Sequence, residues 1–340
     1  MDTRSLKILT GPACAPSLVR NLFTSINQLA DRQGITPVPY TCVDFKDGEV
    51  LMQIDVNVRN GNLFVVQPAP MPDRNLMVLK QLLMAASLGS VDSLTAVIPY
   101  LAYLRQDRKD RPRVPITAKM VIQELVLAMD ASARKHLMFL HPHSSIVPGF
   151  ANVPVDVLYP SDILAERIVT THGPNISDGV VVSPDAGAAK LAQIYMRLLG
   201  MSRIAFGFKL RTADDQPEIV EVSGEVEGMP TVVVDDMMDT GGTMCGVIDR
   251  LHNRGATDIY ACVTHGIFAD RCLDRLVELK ARTNLRKVFV TNSINNENRE
   301  LPEFIEVVDI GQRIAQAIWL NFIGGSISEI AGAFANHKKS

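Results

Sequence analysis

The sequence predicts an α/β protein built as two successive units, each a mostly parallel sheet flanked by helices. Short continuous runs of Val, Ile, Leu and Phe, bounded by turn residues, recur along the whole of the 340-residue chain. Stretches with helical composition separate them. Runs this uniformly apolar do not suit strands with one wet face; they suit strands covered on both sides by helices. The length exceeds one ordinary domain and is comfortable for two.

Taken in order, LKILTG (6–11) opens as a strand and a helix is expected over 17–32. NLFVVQ (62–67) and LTAVIPY (94–100) are the next strands, with 76–88 helical between them. A helix over 118–129 leads into the strand HLMFL (136–140). After a break near 155–165 the pattern restarts with VVVSP (180–184), RIAFGF (203–208), TVVVDD (231–236), DIYACVTH (258–265) and KVFVTNS (287–293). A helix over 244–254 carries Val247, Ile248 and Leu251 at helical spacing, with Gly255 as its stop. A last helix over 312–322 is expected to pack back on the first half. The division expected is therefore 1–158, 159–311, and a C-terminal helix and tail at 312–340.

Composition narrows the partners. The chain is 47% hydrophobic and 21% charged, with a formal net charge of -3. That balance gives no global electrostatic case for nucleic acid or an anionic membrane. Cys14, Cys42, Cys245, Cys262 and Cys272 are scattered without a CxxC pair and read as reduced thiols in a core. The N-terminus lacks a long apolar signal core, and no apolar run reaches the ~18 residues of a membrane helix. A cytoplasmic protein is expected.

In open parallel sheets ligands sit beyond the carboxyl ends of the strands. VVVDDMMDTGGTM (232–244) is the most informative such stretch. Asp235 and Asp236 follow a buried Val run, Asp239-Thr240-Gly241-Gly242-Thr243 forms a loop, and a helix follows. A two-glycine loop entering a helix presents backbone N–H groups to an anion, and the threonine hydroxyls add donors. Two carboxylates beside that nest would repel a phosphate, unless the ligand places hydroxyls near them and its phosphate further along. A sugar phosphate does so. A divalent cation would also reduce the repulsion. The plainer alternative is an acidic pair that caps a turn.

This stretch resembles the ribose-binding signature shared by type I phosphoribosyltransferases and ribose-phosphate pyrophosphokinases. FKDGEV (45–50), NVR (57–59), VIPYLAYLRQDRK (97–109), PITAK (115–119), VVSPDAG (181–187), THGIF (264–268) and VTNSI (290–294) resemble the pyrophosphokinase pattern, in order. The resemblance implies two tandem type I phosphoribosyltransferase-like domains, the first holding ATP and the second ribose phosphate. It implies transfer of the β,γ-diphosphoryl group of ATP to ribose 5-phosphate, with Mg2+. By resemblance Phe45, Asp47 and Glu49 hold adenine, and Arg105, Gln106 and Asp107 belong to the ATP site. His141 and Asp185 touch the metal–ATP unit. Lys209 and Arg211 stabilise the transferring phosphates from a flap over 212–221, with His141 also in a catalytic role. Asp235, Asp236, Asp239, Thr240, Gly241, Gly242 and Thr243 take the ribose phosphate. In the family the 45–50 segment reaches a neighbouring subunit, which implies a dimer-based homo-oligomer, a hexamer among the options. Without the resemblance, that segment reads as a hairpin turn around its Asp-Gly, and RQDRK as a solvated charge run.

Some positions depart from the family pattern. Phe139 stands where an aspartate is usual two residues before the histidine, and His143 is additional. Phe208, Leu210 and Thr212 replace an aspartate, an arginine and a proline around the flap lysine. Ala188 replaces the second glycine of SPDxGG, and extra residues precede Phe334 in the tail. Swaps beside a substrate are where specificity shifts. The same chemistry on a larger ribose-5-phosphoryl compound such as ADP-ribose, and a non-catalytic regulatory relative, therefore stand as alternatives. The RQDRK half argues against a phosphoribosyltransferase that consumes PRPP.

Overall fold

The computed structural model describes residues 5–31, 34–210 and 219–330. The chain divides into two compact units. Of the described residues, the first takes in those up to Leu158, Ser293–Asn295 and 309–330; the second is Tyr159–Asn292 with Asn296–Val308.

The first unit runs β1 (Leu6–Thr10), α1 (Pro16–Leu29), β2 (Tyr40–Asp44), β3 (Val50–Ile54), β4 (Asn62–Val66), α2 (Arg74–Leu88), β5 (Ser93–Ile98), α3 (Thr117–Ala128), β6 (Arg134–Leu140) and β7 (Val155–Leu158). Its sheet is parallel throughout, in the order β1-β4-β5-β6-β7. Alternate residues of each strand feed opposite cores. Leu63, Val65, Ala96 and Phe139 pack with α2 and α3, whereas Ile8, Phe64, Val97 and Met138 pack with α1. This two-sided burial is why the strands read as unbroken apolar runs. β2 and β3 form a separate antiparallel pair. Gln81 of α2 satisfies the outer edge of β3, accepting from the Met52 N–H at 2.9 Å and donating to the Val50 carbonyl at 2.7 Å.

The second unit runs α4 (Ser161–His172), β8 (Val180–Ser183), α5 (Ala189–Leu198), β9 (Arg203–Leu210), β10 (Ile219–Ser223), β11 (Thr231–Met238), α6 (Gly242–Asn253), β12 (Ile259–Gly266), α7 (Cys272–Arg282), β13 (Leu285–Thr291) and β14 (Ile305–Val308). Its seven-stranded sheet has the order β10-β9-β8-β11-β12-β13-β14, parallel except for the edge strand β10. Val182, Val233, Ala261 and Val288 face α6 and α7; Val181, Val232, Cys262 and Phe289 face α4 and α5. The expected α/β class, with mostly parallel sheets between helices, is what the chain forms.

α8 (Gly311–Ile323) returns to the first unit and lies on α1, with Ile314, Ile318 and Phe322 against Leu18, Leu22 and Ile26. A side chain at Gly311 would put its Cβ 2.6 Å from the Leu18 carbonyl oxygen, so the two helices touch backbone to backbone there. α1 ends at Leu29, short of the helix expected to 32, where Ala30 caps it and Asp31 turns to φ 45°.

Candidate active site

The second sheet has a switch in strand order. From β8 the chain steps to β9 and β10 on one side, then crosses to β11, β12, β13 and β14 on the other. Crevices for ligands open at such a point. Here the opening is visible in the register. β11 pairs with β8 only over Thr231–Val233, but pairs with β12 out to Met238. β11 therefore runs on past its β8 neighbour, and Asp235 and Asp236 lie in the part that has lost it. The sequence places the acidic pair after the strand; in the structure it lies inside the strand, at the split.

The Asp236 N–H donates to Asp235 Oδ1 at 2.9 Å. Asp235 is half-buried as a residue, but its carboxyl is largely withdrawn from water, and its pKa is pushed up to about 8. Burial is the largest cause, followed by the negative charge of Asp236, a hydrogen bond between the two carboxyls, and the more distant charge of Asp185. The site is thus over-supplied with negative charge, which hydroxyl donors or a cation would relieve. Such a raised carboxyl has a signed consequence. The folded chain keeps this proton between pH 3.8 and about 8 while the unfolded chain loses it, so stability falls as pH rises through that window. Asp236→Asn removes the charged neighbour. Thermal melts should show the variant gaining on the native chain from pH 5 to pH 8, by on the order of 1 kcal/mol at the upper end. A native chain whose lead is constant across that range would contradict the coupling.

Beyond Met238 the chain enters the loop. Gly241 sits at φ 76°, in the left-handed region, and is buried. A Cβ there would lie 2.8 Å from Cys272 Sγ. α6 then starts with Gly242, and its N-cap residue, Gly241, supplies no side-chain cap, so no capping side chain at that position competes with a ligand for the first amides of the helix. Thr240 and Gly242 are exposed and Thr243 half-buried. The carbonyls of the same loop have hydrogen-bond partners. Met238 O accepts from the Ile267 and Phe268 N–H groups at 2.9 and 3.1 Å, Asp239 O from Ala269 N–H at 3.1 Å, and Gly241 O from Cys245 N–H at 2.8 Å. Thr240 O accepts from Arg275 Nη1 at 2.7 Å. The sequence marks part of this bracing segment, THGIF (264–268), through the resemblance alone, and gives it no role, because backbone donors leave no residue pattern of their own.

Asp185 follows β8 on the other side of the split and is exposed. Its Oδ1 accepts from the Gly187 and Ala188 N–H groups at 2.8 and 3.2 Å, which fixes the turn into α5. Lys209 lies at the end of β9 with Val220 of β10 opposite. Its side chain, Arg211 and most of the expected flap lie outside the described residues, as does Phe334. Phe206 and Phe208 are 39% and 42% exposed on β9, just before that lysine.

In the first unit the other predicted residues also follow strands. His141 comes directly after β6, is buried, and adopts φ 40°; its N–H donates to Leu158 O at 2.8 Å. Phe139, where the family pattern has an aspartate, is a core residue at 1% exposure. Arg105, Gln106 and Asp107 form the loop after β5. Gln106 also serves the fold. Its carbonyl accepts from Ala118 N–H at 3.1 Å, and its Oε1 accepts from the Thr117 hydroxyl at 2.5 Å, tying the loop to the start of α3. Phe45, Asp47 and Glu49 form the tip of the β2–β3 hairpin. Phe45 N–H donates to Glu49 O at 2.9 Å, Glu49 N–H donates to Asp47 Oδ1 at 3.1 Å, and Gly48 takes φ 93°. The hairpin is real, and it presents Val43, Phe45 and Leu51 to solvent. Among the described residues no group of three or more His, Cys, Asp and Glu side chains is set to hold a metal ion.

Comparison with known proteins agrees across the length of the chain. Residues 18–128 match the family model described as the N-terminal domain of ribose phosphate pyrophosphokinase, and residues 161–298 match the phosphoribosyl transferase domain. The chain is 33% identical over 332 residues to a ribose-phosphate pyrophosphokinase of Parasynechococcus marenigrum, covering 97% of this chain and 94% of the relative. It is 34% identical over 275 residues to one from Thermotoga maritima, covering 81% and 84%. Among solved structures, a phosphoribosylpyrophosphate synthetase from Mycobacterium smegmatis superposes with a TM-score of 0.81 at 31% identity, over 94% of this chain and 100% of that one.

Proposed function

The chain belongs to the ribose-phosphate pyrophosphokinase family, and on that footing we propose that it transfers the β,γ-diphosphoryl group of ATP to the anomeric hydroxyl of ribose 5-phosphate, giving PRPP and AMP. One observation supports the sugar end most directly: an acidic pair at a strand split, followed by a loop whose Met238, Asp239 and Thr240 carbonyls are held by the 267–275 segment. Asp235 and Asp236 accept from vicinal ribose hydroxyls, and the amides of 240–243 with the threonine hydroxyls receive the 5-phosphate. A terminal monoester suits that nest better than the esterified phosphate of ADP-ribose, so ribose 5-phosphate is the preferred substrate.

At the nucleotide end, Phe45, Asp47 and Glu49 are assigned to adenine, and Arg105, Gln106 and Asp107 to the ATP loop. Lys209 and Arg211 are assigned to the phosphates in transfer, where a mobile point charge and a planar fork serve different oxygens. Magnesium is assigned to His141 and Asp185. A hard cation carried largely on ATP phosphates needs few protein ligands, and Asp185 keeps Oδ2 beyond the oxygen its own turn uses. When bound, the ion neutralises the polyphosphate. The exposed apolar hairpin face supports a dimer-based homo-oligomer, up to a hexamer. No helix among the described residues is long and apolar enough to cross a membrane, and a cytoplasmic setting is part of this proposal.

The test is AMP release from ATP and magnesium with ribose 5-phosphate or with ADP-ribose. AMP with ribose 5-phosphate is expected. AMP with ADP-ribose alone would move the assignment to the larger substrate, and AMP with neither would remove the enzyme.

A further inference from the structure

We propose that Arg275 of α7 is a positioning residue for the sugar phosphate: its guanidinium holds the 239–243 loop in the form that turns amides toward the ligand. This rests on the assignment of that loop to the 5-phosphate.

A loop can offer its N–H groups on one side only if its carbonyls are satisfied on the other. Four successive carbonyls, those of Met238, Asp239, Thr240 and Gly241, have hydrogen-bond partners, the first three from the 267–275 segment and the fourth within α6 itself. Three of them are held by backbone: Met238 and Asp239 by the 267–269 turn, and Gly241 by the first turn of α6. Thr240 differs. Its carbonyl is held by a side chain, Arg275 Nη1 at 2.7 Å. Thr240 is also the residue just before the left-handed Gly241, where the peptide must take a single orientation.

Arg275 is itself oriented. Its Nη2 donates to Asp270 Oδ2 at 3.0 Å, from a turn where Phe268 and Asp270 take φ 51° and 52°. Non-glycine residues in the left-handed region cost roughly 1–2 kcal/mol each. The turn that carries this strain is the one whose N–H groups also hold Met238 and Asp239. One arm of the guanidinium thus reads the brace and the other the loop. The cation also brings positive charge behind a phosphate nest. Its neighbours bear this out, since Arg275 pulls down the otherwise raised thiol pKa values of both Cys245 and Cys272. Arg271, one turn earlier on the chain, pairs with Asp274 and Glu278 instead.

With the Arg275 side chain 40% and the Asp270 side chain 59% exposed, this ion pair adds little stability. Loss of Arg275 should therefore be felt in binding. AMP release would be followed for the native enzyme, Arg275→Ala and Arg275→Lys, with thermal midpoints measured alongside. Arg275→Ala is expected to raise KM for ribose 5-phosphate on the order of tenfold, the scale of one charge-assisted hydrogen bond. Turnover at saturating sugar and KM for ATP should stay within about twofold, and the midpoint within a few degrees. Arg275→Lys should recover part of the loss, because it keeps the charge but not the fork. An unchanged sugar KM in Arg275→Ala, or equal losses in turnover and both KM values, overturns the proposal. A native enzyme that makes no AMP from ribose 5-phosphate is a different failure: it removes the site assignment first, and this one with it.

Discussion

Lys209→Ala is expected to lower turnover by roughly two to three orders of magnitude while KM for ATP moves by less than about threefold. The asymmetry follows from when the lysine's partner is most charged. During diphosphoryl transfer, negative charge accumulates on the oxygens around the β-phosphorus, and a cation placed for that moment stabilises the transition state more than bound ATP. Lys209 stands at the end of β9, where the pairing with β10 fixes its backbone opposite Val220. A residue at the mouth of an antiparallel edge pair is anchored on one side and can deliver a long side chain on the other. Steady-state kinetics with a direct ATP titration separate the two effects. Equal losses in ATP affinity and turnover would mean that the lysine binds ground-state nucleotide and has no special hold on the transferring group. Lys209→Arg should not restore the native rate, because a planar fork does not replace a point charge.

The α/β class was legible because burial on both faces writes itself into sequence. β8 and β12 are buried along their whole lengths, and they read as VVVS and IYACVTHG. Elements that touch solvent were harder to read. α4, α5 and α7 mix charge with apolar residues and were not singled out, and the edge strand β10, IVEVS with a charged and a polar residue among its apolar ones, begins inside the 212–221 stretch that reads as a flap. The acidic pair was legible as charge at the end of a Val run, although the loss of the β8 neighbour, which explains the opening, is a property of register. Gln106 shows the other limit. Its residue type suits a nucleotide loop, yet the structure also gives it the Thr117 hydroxyl and the Ala118 amide. No linear pattern expresses that second role. The bracing of the 239–243 loop is mostly backbone, and only Arg275 carries it in a side chain that could be read.

Gly241→Ala is expected to raise KM for ribose 5-phosphate by roughly a hundredfold, the scale of a catalytic geometry displaced by about 1 Å. Two separate costs fall on the new methyl group. The left-handed backbone at φ 76° disfavours any Cβ by roughly 1–2 kcal/mol. In addition the Cβ would lie 2.8 Å from the buried Cys272 sulfur, so either α7 or the loop must move. The loop is the softer of the two, because Cys272 packs with Leu276 and Val247 in the core beneath it. These costs can be separated by substitution. Cys272→Ala in the Gly241→Ala background removes the sulfur and leaves the backbone strain, so part of the sugar affinity should return. Gly241→Asn relieves part of the strain, because asparagine tolerates the left-handed region, but it keeps the collision and should stay impaired. KM for ATP should hold in all three variants. If Gly241→Ala bound ribose 5-phosphate as tightly as the native chain, the loop would not be gripping the phosphate through this one peptide geometry. The sugar's charged end would then have to be sought elsewhere in the second unit.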